Sequence, residues 1–177
     1  MLFEWLKSKK YDTEYLSFPD YSTTIGQEIR AFLNGKKEYS KEARHILYAA
    51  NRYEHKEEIE NWIINKRKVV VVNRYTDSNI AYGTAEGLSL QWVKDIESQM
   101  PQADYVFLLE ATPELSLARK KKNRDIFEAD LTFLKRVSEV YSALVEKGKW
   151  FVIKGDRPVD LIHYEISRLF EELVNLG

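Results

Sequence analysis

The stretch Val69-Val70-Val71-Val72-Asn73-Arg74-Tyr75-Thr76-Asp77-Ser78 decides how this chain folds. Four consecutive valines carry no polar alternation. A strand with one wet face would alternate apolar and polar residues, whereas an unbroken β-branched run reads as a strand covered on both faces, the habit of parallel sheets. The polar residues directly after it stand where that strand ends, and open α/β sheets hold ligands at the carboxyl ends of their strands. The run therefore predicts a fold class and the place of a site together.

Working outward, Tyr15–Phe18, Tyr105–Glu110 and Trp150–Ile153 read as further strands, with Val106-Phe107-Leu108-Leu109 a second continuous apolar run. Helical stripes separate them. Leu134, Val137, Tyr141, Leu144 and Val145 follow one helix face, as do Ile162, Ile166, Leu169, Phe170 and Leu173. Met1–Lys10 reads as an amphipathic helix, and Thr112-Pro113-Glu114 as an N-cap, a proline at the first helical position and an acid in the first turn. Strands alternating with helices imply an α/β fold, a parallel sheet covered by helices on both faces. No repeat, low-complexity tract or linker interrupts it, so residues 1–177 are expected to form a single domain.

Composition removes several function classes. Lys+Arg number 27 and Asp+Glu 28, for a net charge of −1; a general nucleic-acid binder would carry a basic excess. The absence of cysteine rules out disulfides, thiolate metal sites and thiol nucleophiles. The three histidines, His45, His55 and His163, have no ligand spacing, so no metal site is expected. No apolar run approaches the ~20 residues a membrane span requires, and Met1–Lys10, as an amphipathic helix, is not expected to be a signal peptide. A soluble, cytoplasmic protein is expected.

Three segments could carry chemistry. In the helix expected over 41–66, Ala43, Ile46, Leu47 and Ala50 share one face and are expected to meet the core; Tyr48 and Arg52, at i and i+4, lie on the opposite face with His45. A flat ring beside a guanidinium suits a planar base, and equally suits a plain surface pair. Past the valine strand, Arg74 could clamp a phosphate in bidentate fashion; the same loop could be an ordinary strand-to-helix turn capped by Asp77 or Ser78. Arg119-Lys120-Lys121-Lys122-Asn123-Arg124 packs five cations into six residues. Such a segment suits a phosphoryl-transfer lid, or a solvated helix end favoured by the macrodipole. Gly155-Asp156-Arg157-Pro158 comes after the last strand as a turn that could meet a nucleotide base.

Taken in order, these pieces resemble the thymidylate kinase family, nearest its archaeal and eukaryotic-like members. Phe18-Pro19-Asp20-Tyr21-Ser22-Thr23-Thr24-Ile25-Gly26 is similar to the family's FPxxxTxIG loop. Leu47-Tyr48-Ala49-Ala50-Asn51-Arg52-Tyr53-Glu54 is similar to its LFxANRxE helix, and Asn73 to Tyr82 to its DRYxxSxxAY segment. The resemblance implies a nucleoside-monophosphate-kinase-like parallel sheet and the reaction ATP + dTMP → ADP + dTDP with Mg²⁺. It implies that Tyr48 stacks on thymine, Arg52 reads its carbonyl edge, Arg74 holds the phosphate, and Tyr82, Ser78 and Phe18 line the remainder of the nucleotide site. Arg74, Asn73, Arg119 and Arg124 are the implied catalytic group. Arg119 and Arg124, in a lid at about 119–128, with Gly155, Asp156 and Arg157, are implied to meet ATP. A homodimer is implied as well, with neither nucleic acid nor membrane as partner.

The chain departs from that pattern at three places. Asn73 stands where the family has Asp, Tyr21 where many members carry an arginine, and the first strand with its glycine-rich phosphate loop has no counterpart: no GxxxxGK[ST] occurs. The chain is therefore expected to be an N-terminally shortened kinase, impaired or inactive, with a non-catalytic dTMP binder or a P-loop kinase for another nucleotide as alternatives. Without a central first strand, Val69–Val72 and Tyr105–Glu110 are expected to stand about two strand spacings apart, ~9.6 Å, rather than to close onto each other.

Overall fold

The structure, a computed structural model, describes residues 1–112, 127 and 130–175. The expected lid at 119–128, apart from Phe127, lies outside them, as do Arg119, Arg124, Asp125, Glu128 and the proline and acid of the Thr112-Pro113-Glu114 cap.

Four parallel strands form in two pairs. Strand β1 (Thr13–Ser17) pairs with β2 (Val69–Asn73) in the register Thr13 to Val69 through Ser17 to Asn73. Strand β3 (Val106–Glu110) pairs with β4 (Trp150–Lys154), from Val106 opposite Trp150 to Glu110 opposite Lys154. Among the described residues β2 and β3 are not paired with each other, so the two runs do not close onto each other, as expected. The valines of β2 are consequently half-buried rather than buried, and Leu109 of β3 is 52% exposed. Continuous apolar runs correctly announced parallel strands, but among the described residues each of these has a hydrogen-bonded neighbour on one edge only.

Helices α1 (Leu2–Ser8), α2 (Thr24–Leu33), α3 (Lys41–Tyr53), α4 (Lys56–Glu60), α5 (Thr76–Ala85), α6 (Leu90–Glu97), α7 (Leu131–Leu144) and α8 (Val159–Asn175) connect and cover the strands. Side-chain caps start several of them. Thr23 Oγ1 accepts from the Gly26 N–H at 3.0 Å and Asp130 Oδ1 from the Phe133 N–H at 2.9 Å, each satisfying one of the four orphan donors of a helix start. The helix expected over 41–66 is not continuous. It ends at Tyr53, restarts at Lys56, and widens into a π turn over Asn61–Asn65. The break falls where the His55 side chain reaches across to Asp20, Nε2 to Oδ2 at 3.0 Å.

The core nearest the site gathers Phe32 of α2, Ala81 and Ala85 of α5, Phe127, and Phe133 and Val137 of α7. Phe127 and Phe133 lie 5.2 Å apart between ring centroids; burying rings of this size contributes about 1.5–3 kcal/mol each. Among the described residues no helix is long and apolar enough to cross a membrane.

Candidate active site

The site is built where β1 and β2 end. Beyond Ser17, Phe18-Pro19 is a cis peptide, and the chain turns through Asp20 and Tyr21 into α2. Gly26 explains the glycine of that motif. A Cβ there would stand 1.7 Å from the Asp20 carbonyl oxygen, so no side chain fits while the loop holds its course. Asn51 of α3, fully buried, fastens the same loop. Its Oδ1 accepts from the Asp20 N–H at 2.8 Å, and its Nδ2 donates to Thr23 Oγ1 at 2.9 Å, to Glu54 Oε2 at 3.0 Å and, longer, to the Asp20 carbonyl at 3.3 Å. Two motifs far apart in sequence thus interlock through one side chain.

Beyond β2, Arg74 adopts φ 60°, a left-handed conformation uncommon for a residue with a side chain. Helix α5 then begins with Tyr75 at its N-cap, not Asp77 or Ser78. The twist lays the Arg74 guanidinium over the Tyr82 ring, 5.5 Å from Cζ to the centroid.

These pieces enclose a cavity of about 420 Å³. Phe18, Tyr48, Arg52, Asn73, Arg74, Ser78 and Tyr82 all line it, together with Ser17, Pro19, Asp20, Tyr21, Leu33, Asn79 and Phe127. Tyr82 meets Phe127 and Phe133 edge-on at 6.0 and 5.8 Å, so one wall is aromatic and backed by core. Asn73 Nδ2 donates to Ser17 Oγ at 3.1 Å across the strand ends. Burial pushes the Tyr141 phenol up, with the Ser78 side chain opposing. The Asp20 carboxyl is held below its ordinary value chiefly by the Ser22 N–H, at 2.9 Å; burial opposes this, and the Ser22 hydroxyl and His55 add to it. Gly155, Asp156 and Arg157 lie outside the cavity. Arg157 is engaged with Glu165 and with the Lys154 carbonyl, and the Gly155 N–H donates to the Glu110 carbonyl at 2.6 Å. Among the described residues no three His, Asp or Glu side chains converge as metal ligands.

Helix α3 corrects the sequence reading. Ile46 is 50% exposed, and Ala43, Leu47 and Ala50 are only half-buried. The buried residues are His45, Ala49, Asn51 and Arg52. Hydrophobic periodicity assigns the core face by apolar side chains. Here the inward face is polar because each polar group finds a partner there, which removes the desolvation penalty. Arg52, 3% exposed, is paired with Glu97 of α6. Sequence reasoning gave no role to Glu97, Asn79, Asn51 or Phe127. Only Asn51 left a signal, its place beside Arg52 in the helix motif.

Comparison with known proteins agrees with this geometry. The family pattern described as thymidylate kinase matches residues 1–166. The thymidylate kinase of Dictyostelium discoideum is 31% identical over 163 residues, covering 92% of this chain and 72% of that one. That of Plasmodium falciparum (isolate 3D7) is 32% identical over 169 residues, covering 95% and 80%. A solved thymidylate kinase from Candida albicans superposes with a TM-score of 0.81 over 99% of this chain and 87% of its own, at 23% identity, and so shares the fold. A chain with these strands, this cavity and these relatives belongs to the thymidylate kinase family of nucleoside monophosphate kinases.

Proposed function

We propose that this protein binds dTMP in the 420 Å³ cavity and transfers to it the γ-phosphoryl group of ATP, giving dTDP. The observation that carries the reading is that Tyr48, Arg52 and Arg74, from a helix and a strand end, line one cavity of nucleotide size. Tyr48 offers a face on which thymine stacks. Arg52 donates to the carbonyl edge of the base. Tyr82 and Ser78 bound the deoxyribose, where a 2′-hydroxyl would meet the ring. Arg74 holds the phosphate by charge-assisted hydrogen bonds. Phosphoryl transfer asks little covalent help from a protein, so what these residues supply is position and charge.

For the phosphate donor we propose Arg119 and Arg124, with the turn at Gly155, Asp156 and Arg157, on the adenine side. Mg²⁺ belongs to ATP as its phosphate-bound partner. Among the described residues no three carboxylates or imidazoles form a cage for it, and Asn73 offers it no charge.

We propose a cytoplasmic homodimer. The apolar stripe Ala43, Ile46, Leu47 and Ala50, turned outward on α3, supports a second copy as its partner. Ile46→Glu should shift the protein to monomer in light scattering; an unchanged mass removes this face from the interface.

Calorimetric titration with dTMP, with a subsequent assay for dTDP on adding ATP, tests the reading. Binding with transfer is the expected result, the transfer slow in a chain that holds no GxxxxGK[ST] phosphate loop. Binding without transfer favours a non-catalytic nucleotide binder, and absence of binding overturns the assignment.

A further inference from the structure

A buried polar chain runs from Arg52 back behind the cavity, and beyond Arg52 the reaction as proposed makes no use of it. Arg52 Nε donates to Glu97 Oε2 at 3.0 Å and its Nη2 donates to Glu97 Oε1. Asn79 Nδ2 donates to the same Oε1 at 2.6 Å and to the His45 carbonyl at 3.1 Å. With its amide nitrogen so occupied, Asn79 turns Oδ1 to His45 Nδ1, at 2.6 Å. His45 Nε2 stands 3.0 Å from Glu86 Oε2, and Glu86 is held in turn by Arg44 at 2.9 and 3.0 Å. Glu97, Arg52, His45 and Asn79 are all at most 3% exposed. The chain ties α3, α5 and α6 together, and the His45 ring also lies 5.7 Å from that of Tyr48.

We propose that Glu97 is the positioning residue that sets Arg52 for the base, with Asn79 and His45 holding Glu97 in its turn. The proposal rests on the reading of Arg52 as the base-edge donor. Glu97 does not line the cavity; Arg52 does. A guanidinium has five N–H donors in a rigid fork. Glu97 engages Nε and one Nη2 proton, so the fork cannot swing, and the donors left over belong to the cavity. A buried carboxylate and guanidinium give little net stability compared with an apolar pair of the same volume. What they supply is fixed geometry, the kind of outer support a binding residue needs to stay within about half an ångström of its working place.

The consequence is selectivity between bases. A pyrimidine with a carbonyl at the edge facing Arg52 accepts its donors. A pyrimidine with an amino group there opposes donor to donor. A locked fork enforces that difference and a loose one evades it.

The full chain titrated with dTMP, and with dCMP as competitor, tests this, with a thermal melt run on each variant. Glu97→Gln, which loses the charge that holds the fork, should weaken dTMP roughly tenfold while dCMP changes little, so that the dTMP:dCMP ratio falls roughly tenfold. Glu97→Asp, which keeps the carboxylate, should retain most of that ratio. Should Glu97→Gln not fold, His45→Phe carries the test, since His45 does not line the cavity and its loss frees the Asn79 amide that holds the Glu97 carboxylate. Loss of a simple cavity contact would weaken both nucleotides alike, whereas the proposal requires the ratio to fall. An unchanged ratio in the folded variant overturns the positioning role. Arg52→Lys separates the two claims. If it collapses the ratio while Glu97→Gln does not, only the role of Glu97 is lost; if it leaves dTMP binding and the ratio intact, the base-edge reading of Arg52 fails.

Discussion

Asn51→Ala is the perturbation with the most to say about how this site is held. Asn51 is fully buried, and three of its four hydrogen bonds are 2.8–3.0 Å long. Each well-made bond contributes about 1 kcal/mol net, more where the partner is a carboxylate such as Glu54. The fourth, at 3.3 Å, adds little. Truncation also strands the Asp20 N–H away from a partner. The total is about 3 kcal/mol, a substantial part of the ~5–15 kcal/mol that ordinarily separates folded from unfolded chains. For a protein of this size a kilocalorie shifts the melting midpoint by about 2–4 °C, so Asn51→Ala should melt about 6–12 °C below the parent. Scanning calorimetry or circular dichroism measures it. Because the loop through Phe18 and Asp20 lines the cavity, dTMP affinity should fall as well. Asn51→Asp separates the causes: it keeps the acceptor for Asp20 N–H but sets an oxygen against Glu54. A melting midpoint within a degree of the parent for Asn51→Ala would refute the idea that this side chain fastens the loop.

The same geometry fixes other outcomes. Arg74→Ala should lower dTMP phosphorylation at least ~10²-fold while leaving the affinity for thymidine, which has no phosphate, unchanged; equal kcat/KM in the variant contradicts the phosphate role. Gly26→Ala, with its Cβ driven against the Asp20 carbonyl, should destabilise by about 1–3 kcal/mol and weaken dTMP, read by melt and titration together; a variant equal to the parent in both means the loop has slack. Burial pushes the Asp77 carboxyl up from 3.8, with Lys149 opposing. A folded value above the unfolded one contributes stability that is complete below about pH 4 and is lost as pH rises through the raised value. Asp77→Asn should therefore gain on the parent in melts taken from pH 4 upward and hold that gain at neutral pH; an advantage that does not grow with pH would deny the burial effect.

The strands and the place of the cavity were legible because both are written in apolar residues. Val69–Val72 reads as a strand even though its valines end up half-buried, and Asn73 and Arg74 stand at its carboxyl end. Helix α3 was legible as a helix and misleading as a surface, since its inward side is lined by His45, Asn51 and Arg52. Their partners, Glu97 and Asn79 among them, lie on other elements and carry no mark in the sequence. A lone acid at a helix end reads as solvated until the fold places a guanidinium beside it. Phe127, next to the charged segment, gave no sign that it would fold back onto Phe32 and Tyr82.

The left-handed backbone at Arg74 has a consequence for aim. An unfavourable torsion of this kind costs on the order of 1–3 kcal/mol, and the strand before it and the helix after it have to hold it there. A side chain rooted in so constrained a turn has few directions open to it. Its guanidinium rests on an aromatic plate at the cavity wall, so a phosphate that meets it finds a cation aimed by the backbone.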